Sequence, residues 1–195
     1  MNYEQAKKFI IKKLDEELPP WLYYHNLSHT LDVLDAAMNI AKEEKVSKPD
    51  LLLLKTACLF HDSGMLRSYT GHEEASIEIT KEVLPEFDYS QREIDLINQM
   101  IITTQLPQDA KHLLEKILCD ADLDYLGRDD FFMISHQLRQ EWLVSGFKTT
   151  NLIEWYQLQV EFLRAHIYFT LSSKNTREAG KMENLNQILA LLNHK

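Results

Sequence analysis

An all-α fold is what this sequence predicts, and three observations predict it. Five glycines and five prolines in 195 residues are few for a turn-rich all-β chain, whereas Leu, Ile, Glu, Lys and Ala are plentiful. Apolar residues recur at three- and four-residue steps, with no alternating strand pattern. The interruptions fall on helix-ending residues, which divides the chain into about nine helices. No Gly/Ser-rich or Pro-rich linker separates them, so one domain over residues 1–195 is expected.

The first helix covers about residues 2 to 17 and stops at Pro19-Pro20. The second starts near Asn26, a good capping residue, and runs to about Lys45. Pro49-Asp50 opens the third, LLLLKTACLF, apolar on nearly every side and therefore central. It ends in HDSG; MLRSYTG then reads as a loop, and HEEASIEITKEVL as a fourth helix closed by Pro85. Ser90 with Glu93 is a capping-box pattern for the fifth, to about Thr104. The sixth spans about Ala110 to Leu126 before Gly127, and the seventh about Asp130 to Val144 before Gly146. Asn151 with Glu154 starts the eighth, and the last runs from about Thr176 to Leu192.

A formal charge of −9 without a basic run argues against long nucleic acid as a partner. Cys58 and Cys119 sit in apolar surroundings without CxxC spacing and read as buried free thiols of a reducing compartment. The N-terminal MNYEQAKKFIIKKLDEEL lacks the continuous apolar stretch of a signal peptide, and no run is long enough to span a membrane. A cytoplasmic protein without a membrane partner is expected.

Three places offer metal-type ligands: His25 and His29 at the start of the second helix, His61-Asp62 at the end of the third, and Asp120 and Asp122 inside the sixth. An apolar helix ending in an imidazole beside a carboxylate must desolvate both, a cost that a divalent cation offsets. Imidazole nitrogen and carboxylate oxygen suit zinc, manganese or iron. Asp120 and Asp122 lie about 200° apart around a helix, so only one of them faces a shared site. The lone histidines His112, His136, His166 and His194 read as structural or surface residues.

The order H … HD … D resembles the HD superfamily of metal-dependent phosphohydrolases. YHNLSHTLDV is similar to the YHNxxHxxDV signature of its cyclic-nucleotide phosphodiesterase branch, LFHDSG to the second motif, and the ADL of CDADLDYLG to the third. The resemblance covers about residues 20–130, with helices over 130–192 expected to complete the bundle. It implies that His29, His61, Asp62 and Asp122 hold a divalent metal (Mn, Zn, Fe, Mg or Ni, one or two ions) and that His25 is the general acid. Asp120 is the alternative to Asp122. A helix geometry that puts residues four apart on one face is consistent with metal at His29 and a proton at His25.

His72 in GHEEAS is a candidate for a second metal, for a phosphate or water contact, or for a structural role, with Glu73 and Glu74 beside it. Where many HD proteins carry a lysine after HDxG this chain has Met65; Arg67 is the candidate substitute for phosphate contact, and Arg128 and Lys148 are weaker ones. Tyr24, Phe131, Trp142, Trp155 and Tyr156 are candidate base-stacking groups, most of them expected in the core. No glutamine context of the kind found in the eukaryotic phosphodiesterases is recognisable, and the chain is shorter than their core. The expected activity is hydrolysis of a phosphoester in a small nucleotide-like substrate, with a phosphodiester favoured. Nucleotide monophosphatase or pyrophosphohydrolase activity, and a non-catalytic metal- or nucleotide-binding regulatory domain, are the alternatives. The motifs do not specify the oligomeric state.

Overall fold

Short polar side chains start most of the helices. The computed structural model describes residues 1–193, so His194 lies outside the described residues. Asn2 accepts from the Gln5 amide at 3.3 Å and opens α1 (Tyr3–Glu17). Asn26 accepts from the His29 amide at 3.2 Å and opens α2 (Leu27–Glu43). Ser47 does the same for α3 (Lys48–Phe60), and left-handed Gly71 precedes α4 (His72–Val83). The expected capping boxes form: Ser90 with Glu93 at α5 (Gln91–Ile102) and Asn151 with Glu154 at α8 (Leu152–Ala165). Between these lie α6 (Leu113–Asp122) and α7 (Phe131–Ser145), the latter ended by left-handed Gly146. The last helix is α9 (Leu171–Asn193). The described residues thus form nine α-helices and no strands.

Three boundaries differ from the sequence reading. The sixth helix is shorter than Ala110–Leu126: α6 ends at Asp122, and Asp124–Gly127 tightens into a 3₁₀ turn. MLRSYTG is not wholly loop, because Ser63–Leu66 forms another 3₁₀ turn. The last helix starts at Leu171 rather than Thr176. Thr170 caps it, accepting from the Ser173 amide at 3.2 Å, and the Ser172 amide and hydroxyl donate to Glu44 at the end of α2 (3.0 and 2.8 Å), 128 positions away.

Burial divides the interior into two apolar clusters. The larger gathers Ile10, Val33, Leu54, Ile97 and Leu118 from α1, α2, α3, α5 and α6, with α3 at its centre as its composition requires. The smaller gathers Tyr24, Leu126, Phe131, Leu163 and Ile188 around α7, α8 and α9. Trp155 and Phe131 are core residues, Trp155 donating to Ser135 at 3.0 Å, so neither is free to stack on a base. Both cysteines are buried free thiols. No described helix is long and apolar enough to cross a membrane.

The second cluster is fastened to the first where α9 crosses the turn after α6. A Cβ on Gly180 would lie 2.2 Å from the Gly127 carbonyl oxygen, and one on Gly127 would lie 2.3 Å from that of Arg177. Both obstacles are backbone. Gly180→Ala is therefore predicted to destabilise the fold by about 2 kcal/mol or more, as overpacking against rigid neighbours does. Urea melts of the variant test this, and an unchanged midpoint would show that α9 does not press on the turn.

Candidate metal centre and cleft

Each side chain of the site is delivered by a helix end. Besides capping α2, Asn26 donates to the carbonyls of Leu22 and Tyr23 (3.1 and 2.9 Å), which fixes the segment carrying His25 and the first turn carrying His29. His61 follows the last turn of α3, where its Nδ1–H donates to the Cys58 carbonyl at 2.8 Å; Nε2 is left as the nitrogen facing inward. The turn after Asp62 packs flush on α4, since a Cβ on Gly64 would lie 1.9 Å from the His72 carbonyl oxygen. Ser76 locks that contact, accepting from the Gly64 amide and donating to the His61 carbonyl, both at 2.7 Å. Asp122 is the last residue of α6.

These ends converge. His29 Nε2 lies 3.4 Å from Asp62 Oδ2 and 3.2 Å from Asp122 Oδ1; His61 Nε2 lies 3.2 and 3.6 Å from the same two oxygens. His29 Nε2, His61 Nε2 and Asp62 Oδ2 are buried and have no hydrogen-bond partner. Two nitrogens and two carboxylate oxygens spaced by about 3.3 Å match the edge between ligands that each sit about 2 Å from a common centre. The donor set therefore fits a divalent cation. His72 Nε2 lies 3.4 Å from the other Asp62 oxygen and 3.6 Å from Glu73, so Asp62 stands between two imidazole groups.

Asp120 is turned elsewhere. Its carboxylate accepts from the amides of Phe169 and Thr170 (2.7 and 2.8 Å) and from the Thr170 hydroxyl (2.6 Å), which holds the chain entering α9. Arg67 is not brought to the site either, and pairs with Glu82 on the exposed side of α4. Arg128 is held by Asp32 and Asp130, and Lys148 is exposed.

A cleft of about 580 Å³ leads from this cluster along the smaller apolar cluster, whose Tyr24, Leu123, Tyr125, Leu138 and Phe162 line it opposite residues 69–73. His25 opens onto it, its Nδ1–H donating to Glu141 on α7. Glu141 is fully buried, and its oxygens also accept from the amides of Tyr24 and His25 (2.8 and 2.9 Å) and from the Tyr69 hydroxyl (3.0 Å). Burial pushes the Glu141 carboxyl up, but His25 and these amides outweigh it and hold it below the ordinary carboxylate range. Gln159 on α8 lines the cleft with its amide oxygen unpartnered. The sequence reading missed both residues. Their signal is faint: each is a polar residue in the apolar phase of its helix, Glu141 following Ile134 and Leu138, Gln159 lying between Trp155 and Leu163.

The facing charges shift the cluster's titration. Burial opposes the charged imidazole of His29, but Asp122 and Asp62 outweigh it and raise its pKa; His61 is raised further, and Asp62 and Asp122 are held down, the latter to about 2. His72 overcomes its own burial through Asp62 and rises to about 9. An unfolded histidine titrates near about 6.5, so ion pairs that raise a folded histidine stabilise fully below that pH and are lost as pH rises through the folded value. The metal-free protein is thus predicted to lose thermal stability from about pH 6.5 up through about pH 9, and His72→Gln to lose less over that window. Melting temperatures that stay level or rise would contradict this.

Comparison with known proteins agrees with the geometry. An uncharacterized protein of Clostridium beijerinckii is 41% identical over 81 residues, which is 40% of this chain and 51% of that protein, so the match spans about half of the relative's length. A predicted HD superfamily hydrolase from an uncultured Thermotogales bacterium superposes with a TM-score of 0.61 at 20% identity, covering 96% of this chain and 91% of its own. Bacillus subtilis YpgQ in complex with ADP superposes with a TM-score of 0.66 at 15% identity, covering 98% of each chain. At those identities the likeness is one of fold. The HD domain model matches residues 26–124, a stretch that includes His29, His61, Asp62 and Asp122, and by that match over half of its length the chain belongs to the HD domain family.

Proposed function

We propose that this chain is a metal-dependent phosphohydrolase that cleaves a phosphoester of a small nucleotide-like substrate. The observation that carries the reading is the set of buried, partnerless atoms, His29 Nε2, His61 Nε2 and Asp62 Oδ2, at the end of a cleft into which His25 faces. His29, His61, Asp62 and Asp122 would hold the cation, with His72 available to a second ion or to phosphate. A bound divalent cation supplies Lewis-acid polarisation of the phosphoryl oxygen and makes water nucleophilic at neutral pH.

The chain's own residues do the rest. Glu141 fixes the His25 ring by its Nδ1–H and so leaves Nε2 for the cleft. Water adds to phosphorus and gives up a proton to solvent, the bond to the leaving oxygen breaks, and His25 Nε2 passes its proton to that oxygen. Buried Glu141 stays ionised, so its oxygens remain acceptors that hold the ring in place. Tyr24, Trp142 and Phe162 give the cleft flat apolar surfaces, and the unpartnered Gln159 oxygen suits an N–H of a heterocycle. That YpgQ, which shares this fold, is in complex with ADP supports a nucleotide as the ligand class. YHNLSHTLDV supports the phosphodiesterase-like branch within the family.

Phosphoester hydrolysis by the manganese-supplemented protein, abolished by chelator and restored by metal, is the expected result of a screen of cyclic nucleotides, dinucleotides and nucleoside phosphates. His25→Ala is predicted to lower kcat by about 10²–10⁴-fold, the span of a general acid, with metal content unchanged. Glu141→Gln is predicted to lower kcat by less than His25→Ala does, because it frees the ring without removing it. Full activity in His25→Ala would contradict the mechanism.

A further inference from the structure

Two charged residues of the motif stretches have no place in the cleft: Asp32, near the end of YHNLSHTLDV, and Arg128, in CDADLDYLGRDD. They are paired with each other. Arg128 Nη1 donates to both oxygens of Asp32 at 2.9 and 2.8 Å, while Nε and Nη2 donate to Asp130 at 2.9 and 2.7 Å. The planar guanidinium is thereby fixed from two sides, as a point charge could not be.

Asp32 lies one turn after His29 on α2, and Arg128 directly follows the 3₁₀ turn Asp124–Gly127 that comes after Asp122. The pair therefore joins the helix of one proposed ligand to the chain leaving another, and the facing atoms of those two ligands are 3.2 Å apart. Asp122 is the last residue of α6, a place where helices fray unless something holds them. Burial of Val33 and Leu118 in one cluster brings α2 and α6 together, but apolar burial is non-directional. On its other side the turn is held to α9, by Arg177 on Asp124 at 2.7 Å and by Asn184 on the Leu126 and Arg128 carbonyls at 2.9 and 3.0 Å. Of these bonds only those from Arg128 to Asp32 reach α2.

We propose that Arg128 is a positioning residue of the metal centre: by tying the turn after Asp122 to Asp32 it sets the spacing of Asp122 from His29, and with it the affinity of the site for a divalent cation. The affinity rests on the metal-dependent reading above, whereas the tie itself needs no metal. Asp32 is half-exposed, and an ion pair with one partner in solvent contributes little to overall stability. Its effect is local, so loss of the pair shows at the metal site before it shows in the fold.

The test measures Mn²⁺ affinity of the full chain by competition with a chromogenic chelator, beside urea midpoints, for wild type, Arg128→Met, Asp32→Asn and the double variant. Each single variant is expected to bind Mn²⁺ about tenfold more weakly with its midpoint little changed. The double variant is expected to lose no more than the worse single one, because both remove the same tie. Ser135→Ala takes the acceptor from the buried Trp155 N–H, far from the pair in sequence, and is expected to lower the midpoint and leave the affinity alone. Asp32→Asn, isosteric at its half-exposed position, carries the test if Arg128→Met does not fold. Unchanged affinity, losses that add in the double variant, or an equal loss in Ser135→Ala would overturn the proposal. Hydrogen exchange in the metal-free protein separates the two readings, through the Leu123 and Leu126 amides, which donate to the Cys119 and Leu123 carbonyls. If wild type takes up no Mn²⁺, the metal-dependent reading falls; exchange that is several-fold faster in Arg128→Met then keeps the tie, and unchanged exchange ends it as well.

Discussion

Four polar side chains meet inside an apolar framework, three of them with an inner atom unsatisfied, and this is the constraint on which the rest of the structure depends. A buried donor or acceptor without a partner costs about 1–3 kcal/mol, and more when charged. Here His29 Nε2, His61 Nε2 and Asp62 Oδ2 are all in that position. The raised imidazoles and lowered carboxylates of the protein without metal are a partial answer, in which protons take the place of a cation. A divalent ion offsets the cost more completely, because it satisfies all four inward atoms at once.

The surrounding architecture holds those atoms still. His61 is oriented by a carbonyl one turn earlier in its own helix, and the turn after it is held to α4 by Gly64 and Ser76. Asp122 is held by the packing of α6, with the following turn gripped by α9 through Gly180 and through the Arg177–Asp124 pair at 2.7 Å. The second apolar cluster thereby shapes one side of the cleft and supplies Glu141 and Gln159 to it. Functional groups from α2, α3, α6, α7 and α8 meet at the seam of the two clusters, a common position for a site in a helical fold.

How much of this was legible in the sequence follows from the range of the interactions. The helix starts at Asn26, Ser90 and Asn151 depend on bonds to residues three positions on, and local pattern finds them. The convergence of His29, His61, Asp62 and Asp122 was legible because family motifs mark each of them, and the half-turn offset of Asp120 left only one acid of that pair for the site. The start of α9 was misplaced although Thr170 caps it locally, accepting from the Ser173 amide; only the second contact there, Glu44 to the Ser172 amide, comes from a distant part of the chain. Glu141 was missed because its bonds to Tyr24 and His25 span more than a hundred residues, and on α7 it shows only as an acid out of phase. Arg67 looked suited to phosphate by its distance from HDSG, but Glu82 claims it once α4 folds alongside.

The most direct test of the central claim is metal stoichiometry of the purified protein, with Asp62→Ala and Asp120→Ala beside it. Elemental analysis after reconstitution and gel filtration is expected to find one or two equivalents of a divalent transition metal in the wild type and in correctly folded Asp120→Ala, and a loss in Asp62→Ala. An absence of metal in reconstituted wild type, or retention in Asp62→Ala together with loss in folded Asp120→Ala, would contradict the account.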